Sequence, residues 1–413
     1  MSRKSGSAEE LVPPSPKAGV WGHPSFLANG VLFAAFLTAI ALAGCRAHDF
    51  PEYDAKYREY AYVTNSGSGT VSVYDVVNVR VDREIQVGQN PTAVAASPTR
   101  NEVYVVNTGM ASGQGSISVI NTENNSVAGS IAVHKMPVAI ALDPDGNSGY
   151  VVNSGSNTVS VVDLKAHREV TQIGVGESPA AARVSADGKT LVVANRGGNS
   201  VTVVDVGTRQ VRAVFEGCPG ATDVVILPDS SKAFAACGGG HQVMAMQLAH
   251  EATTDGRPAT MDRLESLLDV GRAPIHLALK PDGGELFVSN SLSNSISEVA
   301  TSTGDVGGAY LMGAGPVRGI VSADNSLLYV SNQRSQEVAV YGIDDGKRQA
   351  AIHVGDGPSA LAFSSAGHLL FVVDSRSGDV AVVRTRSKTP AMFTMLPAGR
   401  GPNAIAVKAF KVS

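Results

Sequence analysis

Residues 61–65 read AYVTN, and close variants of this segment return along the whole chain. Successive copies are 42 residues apart in five of the seven intervals, and 46 and 53 residues apart in the other two. A repeat with such a period identifies an architecture before any single element is considered. The copies AYVTN, VYVVN, GYVVN, LVVAN, AFAAC, LFVSN, LYVSN and LFVVD end at Asn65, Asn107, Asn153, Asn195, Cys237, Asn290, Asn332 and Asp374.

Each repeat unit predicts four short strands. From Pro137 onward, the segment PVAIALD precedes the tight turn PDGN, and GYVVN, TVSVVDL and EVTQIGV follow. Alternating β-branched residues bounded by Gly, Asn, Asp and Pro are typical of strands. Four antiparallel strands about every 42 residues are the pattern of a β-propeller blade. The one helical expectation concerns MDRLESLLDV at residues 261–270, inside the longest unit.

The two ends of the repeat predict a closed ring. The first unit begins with its second strand, whereas PNAIAVKAF at residues 402–410 is a first strand with nothing after it. Pairing the two would make one composite blade and remove the exposed edges of an open sheet. The fold class is therefore all-β, a single closed propeller of eight four-stranded blades over residues 59–410. A seven-bladed ring would require the Cys237 unit to be an insertion.

These segments resemble the YVTN-type β-propeller repeat family of exported and cell-surface bacterial and archaeal proteins. The resemblance covers the whole predicted propeller and implies its fold. It implies little about activity, because propellers carry binding, scaffolding and enzymatic sites alike.

The N-terminal segment predicts export. Residues 31–43 form an apolar stretch of signal-peptide length, short for a membrane span. The sequence Leu-Ala-Gly-Cys ending at Cys45 resembles the lipobox of bacterial lipoproteins. It implies a signal peptide at residues 1–44, acylation of Cys45, and a tether over residues 45–58. The residue after Cys45 is Arg46, so the segment lacks an Asp retention signal, which favours the outer membrane. The alternative is a membrane anchor beginning near Phe26.

Composition excludes several classes of function. A net charge of −4 leaves no basic excess for a phosphate backbone, so nucleic acid is not an expected partner. The sequence contains no CxxCH and no CxxC pair, and its nine histidines do not cluster. We therefore predict no metal and no cofactor, and expect a monomer.

One slot of the repeat departs from its pattern in three consecutive units. The second residue after the start of the first strand is Ala in five units and Asp223, His276 and Arg318 in the other three. First strands line the channel of a propeller, so these side chains, which we call the channel arc, are expected to lie side by side. Charged groups in a narrow channel cost free energy unless they are paired or used. A structural ion pair and a ligand site both stay open.

Further cations fall in loops that should lie on the face above the arc. We call Arg196, Arg272, Arg334, Arg376, Arg400 and His241 the rim cations. Converging on the channel mouth, they would focus a positive potential there. Forked guanidinium donors suit an anionic small molecule or a carboxylate- or phosphate-bearing glycan.

The two other cysteines belong to the degenerate fifth unit. Cys218 enters its first strand and Cys237 ends its second, which brings both to one face. A disulfide fits an oxidising compartment, and two buried free thiols are the alternative.

Three functions compete. The sequence contains no GxSxG, HExxH or DxDxDG pattern, which favours a non-enzymatic platform that binds an envelope protein, a glycan or an anionic small molecule. A lactonase is the first alternative: PIHLALKPDG from Pro274 resembles a Pro-Arg-His…Pro-Asp-Gly stretch of propeller-type 6-phosphogluconolactonases, although Ile275 replaces the Arg and Ser291 an expected Glu. The second alternative is the handling of a haem d1-like or quinone cofactor, with His276 as an iron ligand.

Overall fold

A computed structural model describes residues 51–110, 113–250, 259–386 and 389–412. Within these ranges, 32 strands form eight antiparallel sheets of four strands each, and there is no helix. The described residues therefore contain no helix that is long and apolar enough to cross a membrane. The predicted signal peptide and Cys45 lie outside the described residues.

The sheets are the blades, numbered from the one that holds the N-terminal strands. Blade 1 contains β1 (Tyr57–Asn65), β2 (Thr70–Asp75), β3 (Arg80–Gln86) and β32 (Pro402–Lys411), and blade 2 contains β4 (Pro91–Ala96), β5 (Glu102–Asn107), β6 (Gln114–Asn121) and β7 (Ser126–Lys135). Blade 3 contains β8 (Pro137–Leu142), β9 (Ser148–Asn153), β10 (Thr158–Asp163) and β11 (Arg168–Gly174), and blade 4 contains β12 (Pro179–Val184), β13 (Thr190–Asn195), β14 (Ser200–Asp205) and β15 (Gln210–Glu216). Blade 5 contains β16 (Ala221–Ile226), β17 (Lys232–Cys237), β18 (Gln242–Gln247) and β19 (Arg263–Asp269), and blade 6 contains β20 (Pro274–Leu279), β21 (Glu285–Asn290), β22 (Ser295–Ala300) and β23 (Val306–Leu311). Blade 7 contains β24 (Pro316–Val321), β25 (Leu327–Asn332), β26 (Glu337–Gly342) and β27 (Lys347–His353), and blade 8 contains β28 (Pro358–Phe363), β29 (Leu369–Asp374), β30 (Asp379–Arg384) and β31 (Ala391–Pro397).

The ring closes through blade 1, as the sequence predicted. Strand β32 pairs with β1 from Tyr57↔Lys411 to Asn65↔Pro402. The innermost strands contact one another in turn around the ring, from β4 through β28 to β32 and back to β4. The Cys237 unit is a complete blade, so the eight-bladed prediction is confirmed and the seven-bladed alternative is wrong.

The first strand of each blade carries an irregularity next to its opening residue. In blade 4, Pro179 pairs with Asn195, and the register then shifts so that Ala181 pairs with Ala194. A register shift follows the opening residue of the innermost strand in all eight blades. Seven of these strands open with a proline, which has no N–H for the ladder, and blade 5 opens with Ala221. A bulge re-aims the residues beside it. In blades 5, 6 and 7 the first paired residue after the shift is Asp223, His276 or Arg318, a member of the channel arc.

The hydrophobic core lies between neighbouring blades. One cluster joins Val338 and Val340 of β26 to Leu370 and Val372 of β29 in the next blade. All four are at most 2% exposed, and full burial of such a side chain stabilises a fold by roughly 1.5–3 kcal/mol. Every blade therefore depends on its neighbours for burial.

The helix predicted over residues 261–270 is wrong, because this segment contains the edge strand β19. Leu264, Leu267 and Leu268 have a spacing that suits one face of a helix. The third strand of the blade, β18, needs a partner for its outer backbone groups, and β19 pairs with it along its length. Tertiary pairing here overrides a short local pattern.

The asparagines that end the second strands have a structural role, and none of them adopts the left-handed conformation that asparagine tolerates at turns. The left-handed asparagines lie elsewhere, at Asn90, Asn125, Asn157, Asn199, Asn294 and Asn325. Asn195 is fully buried, and its amide donates to Ser200 Oγ at 3.2 Å and Thr202 Oγ1 at 2.8 Å. Four others bond in the same way to hydroxyl groups of the next strand: Asn65, Asn107, Asn153 and Asn290.

Candidate functional site

The channel arc lies on three adjoining innermost strands. Asp223 is on β16, His276 on β20 and Arg318 on β24, and each of these strands contacts the next. His276 Nε2 lies 3.7 Å from Asp223 Oδ2, and both residues are less than 10% exposed. The structure thus brings together the three side chains that depart from the alanine pattern.

Asp223 and His276 each accept a hydrogen bond from a backbone N–H group on the innermost strand of the following blade. Leu277 N donates to Asp223 Oδ2 at 3.2 Å, and Gly319 N donates to His276 Nδ1 at 3.3 Å. Val224 N donates to the other carboxylate oxygen, Oδ1, at 3.0 Å. Both side chains therefore satisfy backbone donors of the channel wall, a role that alanine cannot perform.

His276 is held as a neutral imidazole. Burial lowers its pKa to about 3, nearby Arg318 and Arg183 lower it as well, and Asp223 opposes them. Because Nδ1 accepts a backbone N–H, the ring proton resides on Nε2, on the side of Asp223. Neither ring nitrogen is then available as a general base near neutral pH.

A fourth residue, Arg183, joins the arc and was not predicted from the sequence. Its Nη2 lies 3.5 Å from Asp223 Oδ1. It comes two residues after Ala181 on β12, at a slot that holds apolar residues in the other blades: Ala95, Ala141, Val225, Ala278, Ile320, Ala362 and Ala406. Comparing this second slot across the repeats would have revealed it. We call Arg183, Asp223, His276 and Arg318 the arc cluster.

Arg318 differs from the other members because its guanidinium makes no hydrogen bond or ion pair with any described residue. Its side chain is exposed, yet desolvation by the surrounding protein lowers its pKa, with Asp223 acting to raise it and Arg183 to lower it. With two guanidiniums, one carboxylate and a neutral imidazole, the arc cluster carries a formal charge of about +1. An unpaired guanidinium in a partly desolvated channel is suited to an anion or a developing oxyanion.

The rim cations all lie exposed in loops on one face. The two kinds of loop meet there, as Gly67 N donating to Arg400 O at 2.9 Å illustrates. Three of the six have partners of their own: Arg376 pairs with Asp356 at 3.0 Å, His241 lies 3.6 Å from Asp269, and Arg334 donates to Ser291 O at 2.8 Å. Among the described contacts, none joins a rim cation to the arc cluster, so the loops do not form one preassembled site with it.

Cys218 and Cys237 form a disulfide in blade 5, with their Cα atoms 4.8 Å apart. Cys237 pairs in register with Ala221, and Gly238 N donates to Gly220 O, so the entering loop folds back as far as the bridge requires. As for metals, no group of three or more His, Cys, Asp or Glu side chains in the described ranges is arranged to hold an ion.

Fold and site together define an eight-bladed β-propeller with a cationic cluster on one arc of its channel wall. The family model described as "Lactonase, 7-bladed beta-propeller" matches residues 223–408, which is less than half of the chain and includes Asp223, His276 and Arg318. The ring has one blade more than that family's description. No curated protein sequence matches the chain.

Solved structures with similar folds share little sequence with the chain. The periplasmic gluconolactonase PpgL of Pseudomonas aeruginosa is 17% identical with a TM-score of 0.57, covering 85% of this chain and 98% of its own. A putative 6-phosphogluconolactonase from Bacteroides fragilis is 16% identical with a TM-score of 0.58, covering 87% and 99%. The dihydro-heme d1 dehydrogenase NirN is 14% identical with a TM-score of 0.67, covering 86% and 76%. At these identities the similarity is evidence for the propeller fold alone.

Proposed function

We propose that the chain is a propeller-type lactonase that opens a lactone bearing an anionic group at the arc cluster. The observation that carries the proposal is the unpaired, partly desolvated guanidinium of Arg318 beside the buried Asp223–His276 pair. The lactonase family match, which includes all three residues, supports it. So do the structural similarities to a gluconolactonase and to a putative 6-phosphogluconolactonase.

Hydrolysis of a lactone needs few catalytic groups from the protein. Water adds to the lactone carbonyl, the ring C–O bond breaks, and the ring oxygen leaves as a hydroxyl group, so that the product is a hydroxy acid. Negative charge develops on the carbonyl oxygen, where Arg318 would donate hydrogen bonds. The net positive charge of the arc cluster favours an anionic substrate.

Asp223 and His276 act in this scheme as positioning residues. Both Asp223 oxygens already accept backbone N–H groups, and Arg183 lies beside Oδ1. His276 Nδ1 accepts the Gly319 N–H. These bonds fix the wall of the channel next to Arg318, and the attacking water needs no base beyond the solvent in the channel.

We further propose that the protein is exported and anchored through an acylated Cys45. The Cys218–Cys237 disulfide supports this location, because disulfides persist in oxidising compartments. The similar Pseudomonas aeruginosa gluconolactonase is described as periplasmic. Replacing Cys45 with Ser should move the protein from the membrane to the soluble envelope fraction, as measured by immunoblotting of fractionated cells.

Two other functions make different predictions. A binding platform would hold an anionic ligand, a glycan or an envelope protein at the same cations without turnover. Handling of a haem d1-like or quinone cofactor is less well supported, because Nδ1 of His276 is engaged by a backbone donor and Nε2 faces a carboxylate. A Soret band in the absorbance spectrum of the purified protein would favour the handling of a haem d1-like cofactor.

The experiment is a pH-stat assay of gluconolactone and its 6-phosphate, with wild type, Arg318→Ala and Arg318→Lys. Five blades carry alanine at this slot, so Arg318→Ala should fold. Loss of one donor to an oxyanion should lower kcat about 100-fold or more, and lysine should restore part of it. Arg80→Ala, on the outermost strand of blade 1, is the control and should be unaffected. Equal rates for wild type and Arg318→Ala would overturn the proposal, and gluconate binding without hydrolysis would favour the platform.

A further inference from the structure

The seam between blades 6 and 7 breaks the core pattern that the other seams share. At one aligned position of the third strand, seven of the eight blades carry a buried aliphatic residue. These residues are at most 3% exposed: Val73, Val119, Val161, Val203, Ala245, Val340 and Val382. In blade 6 this position is Glu298, on β22. A carboxylate in an apolar seam costs free energy unless something compensates it.

The outermost strand of blade 6 leaves space above Glu298. Strand β23 reads VGGAYL, and a Cβ atom at Gly307 would lie 3.8 Å from Glu298 Cβ, whereas one at Gly308 would contact nothing within 4 Å. A cavity of about 560 Å³ opens here, lined by Glu285, Glu298, Tyr310, Ile343, Asp344, Asp345 and Gly346. A small apolar recess of about 10 Å³ adjoins it, and Phe287, Met312, Leu328 and Tyr341 are among its lining residues.

Tyr310 lines both the cavity and the recess, Tyr341 lines the recess, and hydrogen bonds hold both side chains in place. Tyr310 donates to Glu298 Oε2 at 2.7 Å, and Tyr341 donates to Leu311 O at 2.7 Å. Their ring centroids lie 5.9 Å apart. The hydrogen bond with Glu298 and burial raise the pKa of Tyr310 to about 12, so its phenol keeps its proton and stays a donor.

The charge of the lining has one sign. Four carboxylates line the cavity, and no Lys, Arg or His is among its lining residues. Lys280 lies 3.2 Å from Glu285 and neutralises that one carboxylate. Glu298 has only the neutral Tyr310 hydroxyl as a described hydrogen-bond partner, so its charge lacks a counterion in the described part of the chain.

We propose that the cavity between blades 6 and 7 binds a small organic cation, an amine or ammonium group on a short apolar body. The cation would lie against Glu298 and the rings of Tyr310 and Tyr341, which attract cations through their π-faces. The apolar body would lie in the 560 Å³ cavity, against the mouth of the Phe287–Met312–Leu328 recess, which is too small to enclose it. This inference does not rest on the lactonase proposal, because none of its residues belongs to the arc cluster.

The test is isothermal titration of the full chain with phenethylamine, and with its neutral analogue phenylethanol, in an amine-free buffer. Phenethylamine should bind, and phenylethanol should bind at least about tenfold more weakly, since it lacks the charge that the carboxylate recognises. Glu298→Gln should weaken amine binding by a similar factor. Glu298→Val should abolish binding and raise Tm, because it restores the residue type of most other blades.

The matched control is Glu216→Gln, which removes the same charge from the exposed end of β15 and should bind like wild type. Equal affinity for the amine and the alcohol would overturn the proposal. So would unchanged binding by Glu298→Val, or no heat of binding in wild type at millimolar amine. Lactone hydrolysis should persist in Glu298→Val, so the failure of either proposal can be recognised separately.

Discussion

Asp374 shows how one residue can set the response of a blade to pH. It ends β29 at the position that holds asparagine in six other blades, and it is fully buried. Its Oδ2 accepts the Gly355 N–H at 3.0 Å. Burial, together with a hydrogen bond to Asp379, raises its pKa to about 8. The folded state therefore retains a proton that the unfolded chain releases near pH 4.

This proton makes the ring less stable as the pH rises. A raised acid pKa contributes stability that is present below about pH 4 and is lost progressively up to about pH 8. Asp374→Asn should remove this loss and raise the free energy of unfolding at pH 8.5 by about 1–3 kcal/mol, with little effect at pH 4. Thermal unfolding between pH 4 and 9 measures it, with Asp305→Asn in an exposed turn as control. Parallel pH curves for Asp374→Asn and wild type would contradict the assignment.

Comparison of the repeat units predicts some residues of the arc cluster but not their hydrogen bonds. Asp223, His276 and Arg318 were predictable because each replaces an alanine at the same slot. The same comparison, two residues further along the strand, would have found Arg183. Their hydrogen bonds could not be predicted, because an acceptor on one blade meets the edge amide of the next only after the register shift of each innermost strand is known.

At the scale of the element, blade 5 replaces a recurring close contact by a covalent bond. In most blades a glycine three residues before the first strand packs against the asparagine that ends the second strand. A Cβ atom built at Gly88, Gly176 or Gly271 would lie 2.6–2.7 Å from the side chain of Asn107, Asn195 or Asn290. Cys218 occupies the glycine position and Cys237 the asparagine position of blade 5. The proximity that excludes a larger side chain elsewhere brings two thiols within bonding distance.

Removing the bridge should therefore have a graded effect. Cys218→Ala with Cys237→Ala should lower the free energy of unfolding by roughly 3 kcal/mol, as expected for a bridge that closes a loop of this length, 19 residues apart in sequence. Cys218→Gly with Cys237→Asn should recover part of the loss by restoring the contact of the other blades. Urea unfolding with and without reductant measures both. The bridge would be shown to be absent if reductant had no effect on wild type.

At the scale of the whole molecule, stability depends on closing the ring through β32. This strand completes blade 1 and also contacts β28 and β4 on either side. The Lys408 ammonium, whose pKa burial lowers, donates to Ser97 O in blade 2 at 2.6 Å. Without β32, the edge of β1 and the flanks of both neighbouring blades would be exposed.

A chain ending before Pro402 should aggregate or unfold without cooperativity, because an exposed strand edge pairs with other chains. A synthetic peptide of residues 402–413 should restore a cooperative transition in differential scanning calorimetry, and a scrambled peptide should not. A truncated chain that melts at the wild-type Tm would show that closure contributes little.

The sequence by itself determined the number of blades, the composite closure and the face that carries both repeated loops. These features follow from a period of about 42 residues, in which each unit repeats the same local alternation and the same turns. Only the tertiary structure decided that residues 263–269 form an edge strand, that the repeated asparagines stay out of the left-handed region, and that Glu298 and Tyr310 line a cavity. These outcomes depend on which backbone edges need partners and which side chains of neighbouring blades meet. Local sequence does not contain that information, because the contacts join residues from different units of the repeat.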